Sequence, residues 1–184
     1  MQKGQGNGLP GKLRVSLGRG RRKIGLFLAS AAIVVILDQA SKSWIIANPY
    51  PVKLLPGFID LAYHENRGAI FGLLINQSFL IIVAIVVLII IIFLLFRYLF
   101  LATILTVVPL GLLFGGALGN LIDRLRFGFV IDFIDMHLVD LLRWPWAFNL
   151  ADPAIVIGSF ALALFLVREE LLRKACEHNR EIRN

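Results

Sequence analysis

From Phe79 to Phe96 the chain contains only Phe, Leu, Ile, Val and Ala. A helix made of these residues has no polar face to turn toward water. Its length lies within the roughly 17–25 residues that cross a bilayer as a helix. Three further apolar segments follow the same logic: Ile24 to about Ala47, Leu101 to Ile122, and Pro153 to about Val167. The last is short unless it extends back toward Asn149 or forward through Leu172. The composition agrees, with 58% hydrophobic residues and a mean hydropathy of +0.80. That is more apolar side chain than a soluble core of 184 residues absorbs. The expected fold is an all-α membrane protein of four transmembrane helices.

Charge sets the expected orientation. The net charge is +7, and residues 1–23 account for it through Lys3, Lys12, Arg14, Arg19, Arg21, Arg22 and Lys23 with no acid. A basic, Gly-rich tail suits nucleic acid as well as anionic headgroups. Directly ahead of an apolar run, it is read as a topology signal rather than a nucleic-acid site. Basic start and apolar run also match a secretory signal peptide, but the segment continues past Asp38 and three more spans follow, so it is read as an uncleaved first span. Both termini are then cytoplasmic, with Arg97 in the short turn between spans two and three. Residues 1–23 form a disordered tail, 24–172 the four-span domain and 173–184 a charged tail. The longer connections, about 48–78 and 123–152, face outward. The first mixes β-branched and aromatic residues with Pro51, Pro56 and Gly57, which predicts a small extracytoplasmic β-like subdomain between helices 1 and 2. The second ends in Trp144-Pro-Trp-Ala-Phe148, suited to a membrane interface. Gly111, Gly115 and Gly119 share one helix face and predict close helix packing, and Pro109 is expected to bend the same helix.

Ionisable residues within or beside membrane spans are costly and hence functional candidates. Asp38 and Lys42 are four apart and can neutralise each other, which by itself explains them. Asn120, Asp123 and Arg124 end the third span, where a helix meets water. Asn149 and Asp152 begin the fourth, where Asp152 before Pro153 would serve as an N-cap. Asp132 fits no such explanation, because it lies between Val130-Ile131 and Phe133-Ile134. Two carboxylates brought together in a partly dry site cannot both ionise. One then activates water while the other hydrogen-bonds a carbonyl oxygen, a chemistry that needs no metal or cofactor. The chain has no G-x-S-x-G elbow, H-E-x-x-H pair or P-loop. His64, His137 and His178 lack ligand spacing, and the lone Cys176 forms no internal disulfide. Two other classes stay open on residues alone: a proton-conducting transporter using Asp38, Lys42 and Asp152, and a scaffold whose working part is the basic tail.

Five segments resemble the motifs of the bacterial lipoprotein signal peptidases (type II signal peptidases), in the same order: Asp38-Gln-Ala-Ser-Lys42, Asn66-Arg-Gly-Ala-Ile-Phe-Gly72, Gly119-Asn-Leu-Ile-Asp-Arg124, Val130-Ile-Asp-Phe133 and Phe148-Asn-Leu-Ala-Asp152. The resemblance covers roughly residues 24–172. It implies an aspartyl endopeptidase of the bacterial inner membrane that cuts prolipoproteins before a diacylglyceryl-modified cysteine, near the outer leaflet. It makes Asp132 and Asp152 the catalytic pair. Asp38, Lys42, Asn66, Gly68, Asn120, Asp123, Arg124, Asn149 and Ala151 would support that pair or the substrate. The partners it implies are the lipidated substrate and membrane lipids, with no metal or cofactor and no required oligomer.

Overall fold

The computed structural model describes residues 11–55, 58–70, 73–74, 76–98, 103–136 and 147–181. His137, Trp144 and Trp146, singled out above, lie outside them, as do residues 1–10. Four helices dominate: α1 (Gly11–Ala47), α2 (Gln77–Tyr98), α3 (Ile104–Phe127) and α4 (Ala151–Glu181). Three of them, over Gly18–Ala47, Gln77–Tyr98 and Ile104–Phe127, are long and apolar enough to cross a membrane. α1 starts at Gly11, so residues 11–23 of the tail expected to be disordered are helical. α4 runs unbroken through Glu181 and outlasts the apolar stretch that ends near Val167.

α3 is the central helix, with α1, α2 and α4 packed on it. The glycine face explains the closeness of α1 and α3. A Cβ on Gly115 would stand 2.7 Å from the carbonyl oxygen of Ala31 and 2.8 Å from Cβ of Val34. A Cβ on Gly111 would collide with Ser30, and one on Gly119 would lie 2.6 Å from a carboxylate oxygen of Asp38. Gly116 does the same for α4, where Ala151 O would be 2.6 Å away. Gly115→Ala presses on backbone, which cannot rotate aside. It should destabilise the protein by roughly 1–3 kcal/mol, seen as a lowered midpoint of thermal unfolding in detergent. An unchanged midpoint would show that α1 and α3 can part at no cost.

α2 behaves as its composition dictates. Leu88, Ile91 and Leu95 are buried against the bundle, while Ile82, Ile89, Phe93 and Phe96 are exposed on the outside. With no water-compatible residue on that outer face, lipid is its natural solvent.

The β structure differs from the expected subdomain. β1 (Val52–Leu55) and β2 (Ile59–Asn66) do lie between α1 and α2, followed by a short hairpin of β3 (Ala69–Ile70) and β4 (Leu73–Leu74). The three-stranded sheet, in order β1-β2-β5, takes its third strand from the connection between α3 and α4: β5 (Val130–Met136), antiparallel to β2 with Asn66 opposite Val130. The sheet therefore belongs to both outward connections. β5 is the stretch whose apolar flanks made Asp132 hard to explain as a loop residue. Val130, Ile131 and Phe133 are buried.

Candidate active site

The site forms where the glycine face of α3 ends. Below Gly119, the contact between α1 and α3 passes from backbone packing to a buried polar cluster. Lys42 Nζ lies 2.8 Å from Asp38 Oδ2 and 2.8 Å from Asp123 Oδ2, and donates to Asn120 Oδ1 at 3.1 Å. None of the three charged residues exposes more than 1% of its surface. All three ammonium protons thus have acceptors, as a buried charge requires. Asp38 Oδ1 also accepts the backbone N–H of Ala151 at 3.1 Å, which ties α1 to the start of α4. Asp123 Oδ2 accepts the N–H of Ile131 at 3.1 Å, which ties α3 to β5 beside Asp132. The pair explained above as self-neutralising is instead a three-residue cluster that joins α1, α3, β5 and α4.

Asn149 is the hinge of the second layer and is fully buried. Its Oδ1 accepts the N–H of Ala151 at 2.9 Å and of Asp152 at 3.3 Å, while Asp152 Oδ2 accepts the Asn149 N–H at 3.0 Å. This reciprocal arrangement is a capping box. The N-cap of α4 is therefore Asn149, not Asp152 as expected. Asp152 sits one turn in, with Oδ1 free to accept Asn120 Nδ2 at 2.9 Å. Asn149 Nδ2 meanwhile donates to Asp132 Oδ1 at 2.7 Å and to Asn120 Oδ1 at 3.1 Å. Phe148 completes the positioning by pairing with β5, its carbonyl accepting the N–H groups of Phe133 and Ile134 at 3.0 and 2.8 Å. One short segment thus holds Asp132 and Asp152 in a single network.

Asn66 supplies the remaining contact to Asp132, from Nδ2 to Oδ2 at 2.8 Å. Its own Oδ1 accepts the N–H of Gly68 at 2.9 Å. Gly68 has φ of +86°, a left-handed conformation open to glycine and strained for other residues. Arg124 donates to the Asn120 carbonyl at 3.3 Å, and its Nε is buried without a partner among the described residues. Its guanidinium also feels the charges of Asp132, Asp152 and Asp123.

Burial pushes the Asp132 carboxyl up from 3.8 to about 6. The hydrogen bond from Asn66 opposes that rise, the charge of Asp152 adds to it, and Asn149 and Lys42 oppose it more weakly. The two carboxylates therefore sense each other. Among the described residues the buried charged side chains are Asp38, Lys42, Asp123 and Asp132, all at this end of the bundle. That grouping offers no series of relay groups through the bundle, as a proton path would need.

Every sequence-derived site residue belongs to this network or adjoins it. One was missed. Gln39 Nε2 donates to Asp123 Oδ1 at 2.8 Å and to the Gly119 carbonyl at 3.2 Å, closing the cluster from the side. Its signal was an amide placed beside Asp38 inside an apolar span. His64 pairs with Asp135 at 2.8 Å on the exposed part of the sheet and joins β2 to β5. His178 and Cys176 lie exposed on α4.

An open cleft of about 330 Å³ adjoins the site between α2, α3 and α4. Asn120 and Arg124 form its polar end, and Val83, Val87, Leu113 and Ile155 its apolar walls.

The chain is similar to known proteins over most of its length. The family model described as signal peptidase (SPase) II matches residues 30–168. The lipoprotein signal peptidase of Moorella thermoacetica is 44% identical over 158 residues, covering 84% of this chain and 98% of its own. That of Syntrophomonas wolfei is 42% identical over 144 residues, covering 77% and 92%. A solved bacterial membrane enzyme, determined by the in meso method at 2.3 Å, superposes with a TM-score of 0.71 at 32% identity, covering 80% of this chain and 90% of that one. With motifs, fold and relatives in accord over most of its length, the chain belongs to the signal peptidase II family.

Proposed function

We propose that this protein is an aspartic endopeptidase that removes the signal peptide from diacylglyceryl-modified prolipoproteins, cutting before the lipid-bearing cysteine. The observation that carries the reading is the shared network of Asp132 and Asp152, linked through Asn149 and Asn120. The pair holds one proton. Its ionised carboxylate takes a proton from water as the water oxygen attacks the scissile carbonyl carbon. Its protonated partner hydrogen-bonds the carbonyl oxygen as negative charge develops there. Collapse of the tetrahedral intermediate breaks the C–N bond, and the carboxyl that took the water proton passes it to the departing amine of the cysteine. The buried Nε–H of Arg124 would meet a substrate carbonyl.

In this reading α4 is the fourth span, over about Pro153–Val167, and both termini are cytoplasmic. The site then lies near the outer leaflet of a bacterial inner membrane. The signal helix lies in the cleft between α2 and α4, its lipid chains rest on apolar helix faces, and the connection through β1, β2 and Gly68 covers the site. The test is incubation of purified protein in detergent, with a metal chelator, with a diacylglyceryl prolipoprotein and with its unlipidated form. Mass spectrometry should show a new N-terminal cysteine on the lipidated substrate. No cleavage by folded protein would sink the reading.

The pH profile offers a second check. An Asp132 carboxyl at about 6 keeps its proton below that pH and loses it above. The value of kcat/KM should therefore fall as pH rises through about 6. Asn66 holds that carboxyl down, so Asn66→Ala should move the fall to higher pH. A fall that stays put or moves down would detach Asp132 from the alkaline limb.

A further inference from the structure

The cleft beside the active site continues along the same face of α3. Leu113 and Asn120 line its outer part, and Thr106 and Leu110 lie on the same helical stripe further along. There a second cavity of about 340 Å³ opens between the same three helices, bounded by Tyr98 of α2 and by Leu162, Leu166 and Glu169 of α4. Among the described residues α2 and α4 both rest on α3 and make no extensive contact with each other. The two cavities are thus successive levels of one groove. Its first level touches Asn120 and Arg124, and its far level is apolar except for a polar mouth, where Glu169 is the charged lining residue.

That carboxylate is unusual for its surroundings. The same end of the molecule carries Arg97, Arg168, Arg173 and Lys174. The neighbouring Glu170 is already paired, with Arg173 at 2.9 Å and Lys174 at 3.8 Å. Glu169 has no ion pair among the described residues, although it faces the cavity. Asp152 and Glu169 lie about 25 Å apart along α4, at 1.5 Å per residue. A signal peptide has an apolar stretch of roughly 7–15 residues behind a basic start, and as a helix that stretch covers up to about 22 Å. A peptide cut at the Asp132–Asp152 end would bring its basic start to the level of Glu169.

We propose that Glu169 is a specificity-determining residue whose carboxylate receives a Lys or Arg from the basic start of the substrate's signal peptide. The proposal rests on the peptidase reading above. It offsets the repulsion that the basic rim would otherwise exert on a cationic segment.

The experiment uses three diacylglyceryl prolipoproteins that differ only in carrying two Lys, two Gln or two Glu before the apolar stretch. Wild type should favour the Lys substrate over the Glu substrate by roughly five- to tenfold, through KM with kcat unchanged. Glu169→Lys should reverse that order and leave the Gln substrate near its wild-type value. Glu169→Gln should abolish the preference for the Lys substrate and, with the basic rim left unopposed, tilt the order weakly toward the Glu substrate. Glu177→Lys, the same charge change further along α4, should behave as wild type. If wild type cleaves all three and Glu169→Lys keeps the original order, or shifts all three equally, this proposal falls alone. Cleavage of none by folded wild type removes the peptidase reading and this proposal with it.

Discussion

Asp132→Asn and Asp152→Asn should each lower cleavage of a diacylglyceryl prolipoprotein by about three orders of magnitude or more. Positioned acid–base groups contribute roughly 10²–10⁴-fold, and in the proposed cycle one carboxyl of the pair carries the water proton while the other hydrogen-bonds the carbonyl oxygen. The structural cost differs between the two. Both oxygens of Asp132 accept amide N–H groups, from Asn149 at 2.7 Å and Asn66 at 2.8 Å. An Asn there turns its own NH₂ toward one of these donors, which costs about 1–3 kcal/mol. Asp152→Asn meets the same difficulty between Asn120 and the Asn149 N–H. Loss of activity therefore has to be read beside thermal unfolding in detergent, where both variants should still show a cooperative transition. The double variant separates chemistry from damage. Two carboxylates that work as one unit are not additive, so Asp132→Asn with Asp152→Asn should be no slower than the worse single variant. Single-turnover cleavage followed by mass spectrometry measures all three. Turnover within tenfold of wild type by either single variant would sink the pair assignment.

How much of this was legible follows from what each residue's surroundings depend on. The apolar run Phe79–Phe96 dictates its helix and its lipid-facing surface from composition alone, and Gly111, Gly115 and Gly119 dictate their packing from spacing alone. Asp132 was visible because its apolar neighbours contradict an exposed loop, and the motif order put it beside Asp152. What one sequence cannot express is a register between distant segments. Nothing local says that Val130–Met136 pairs with β2, and nothing in Phe148 says that its carbonyl accepts from Phe133 and Ile134. For the same reason Asp152 read as the N-cap. A cap is recognised by residue type at a helix start, and both Asn149 and Asp152 qualify; only the reciprocal bonds assign the roles. Gln39 was lost because an amide reveals its worth only by the acceptors around it, and two of its three, Asp123 Oδ1 and the Gly119 carbonyl, come from α3.

Lys42→Met should cost about 3–5 kcal/mol of stability, the range seen when one member of a buried ion pair is removed. Lys42 is 1% exposed and stands between two fully buried carboxylates at 2.8 Å each. Methionine fills similar space but leaves Asp38 and Asp123 facing each other with no cation between them. The remaining donors are Gln39 and the backbone N–H groups of Ala151 and Ile131. For a chain of this size the loss corresponds to a drop on the order of 10 °C in the unfolding midpoint. The same change frees Asn120 Oδ1 from its ammonium donor and loosens the amide that holds Asp152, so activity should fall along with stability. Removing the whole cluster tells the two effects apart. Asp38→Asn, Lys42→Met and Asp123→Asn together leave no charge in this cluster to solvate and should recover much of the lost stability. Cleavage should stay low, because Asn120 still lacks its ammonium donor and keeps only the bond from Asn149. A midpoint for Lys42→Met within about 2 °C of wild type would mean that the two carboxylates find other partners, and that the cluster is not what joins α1, α3 and the start of α4.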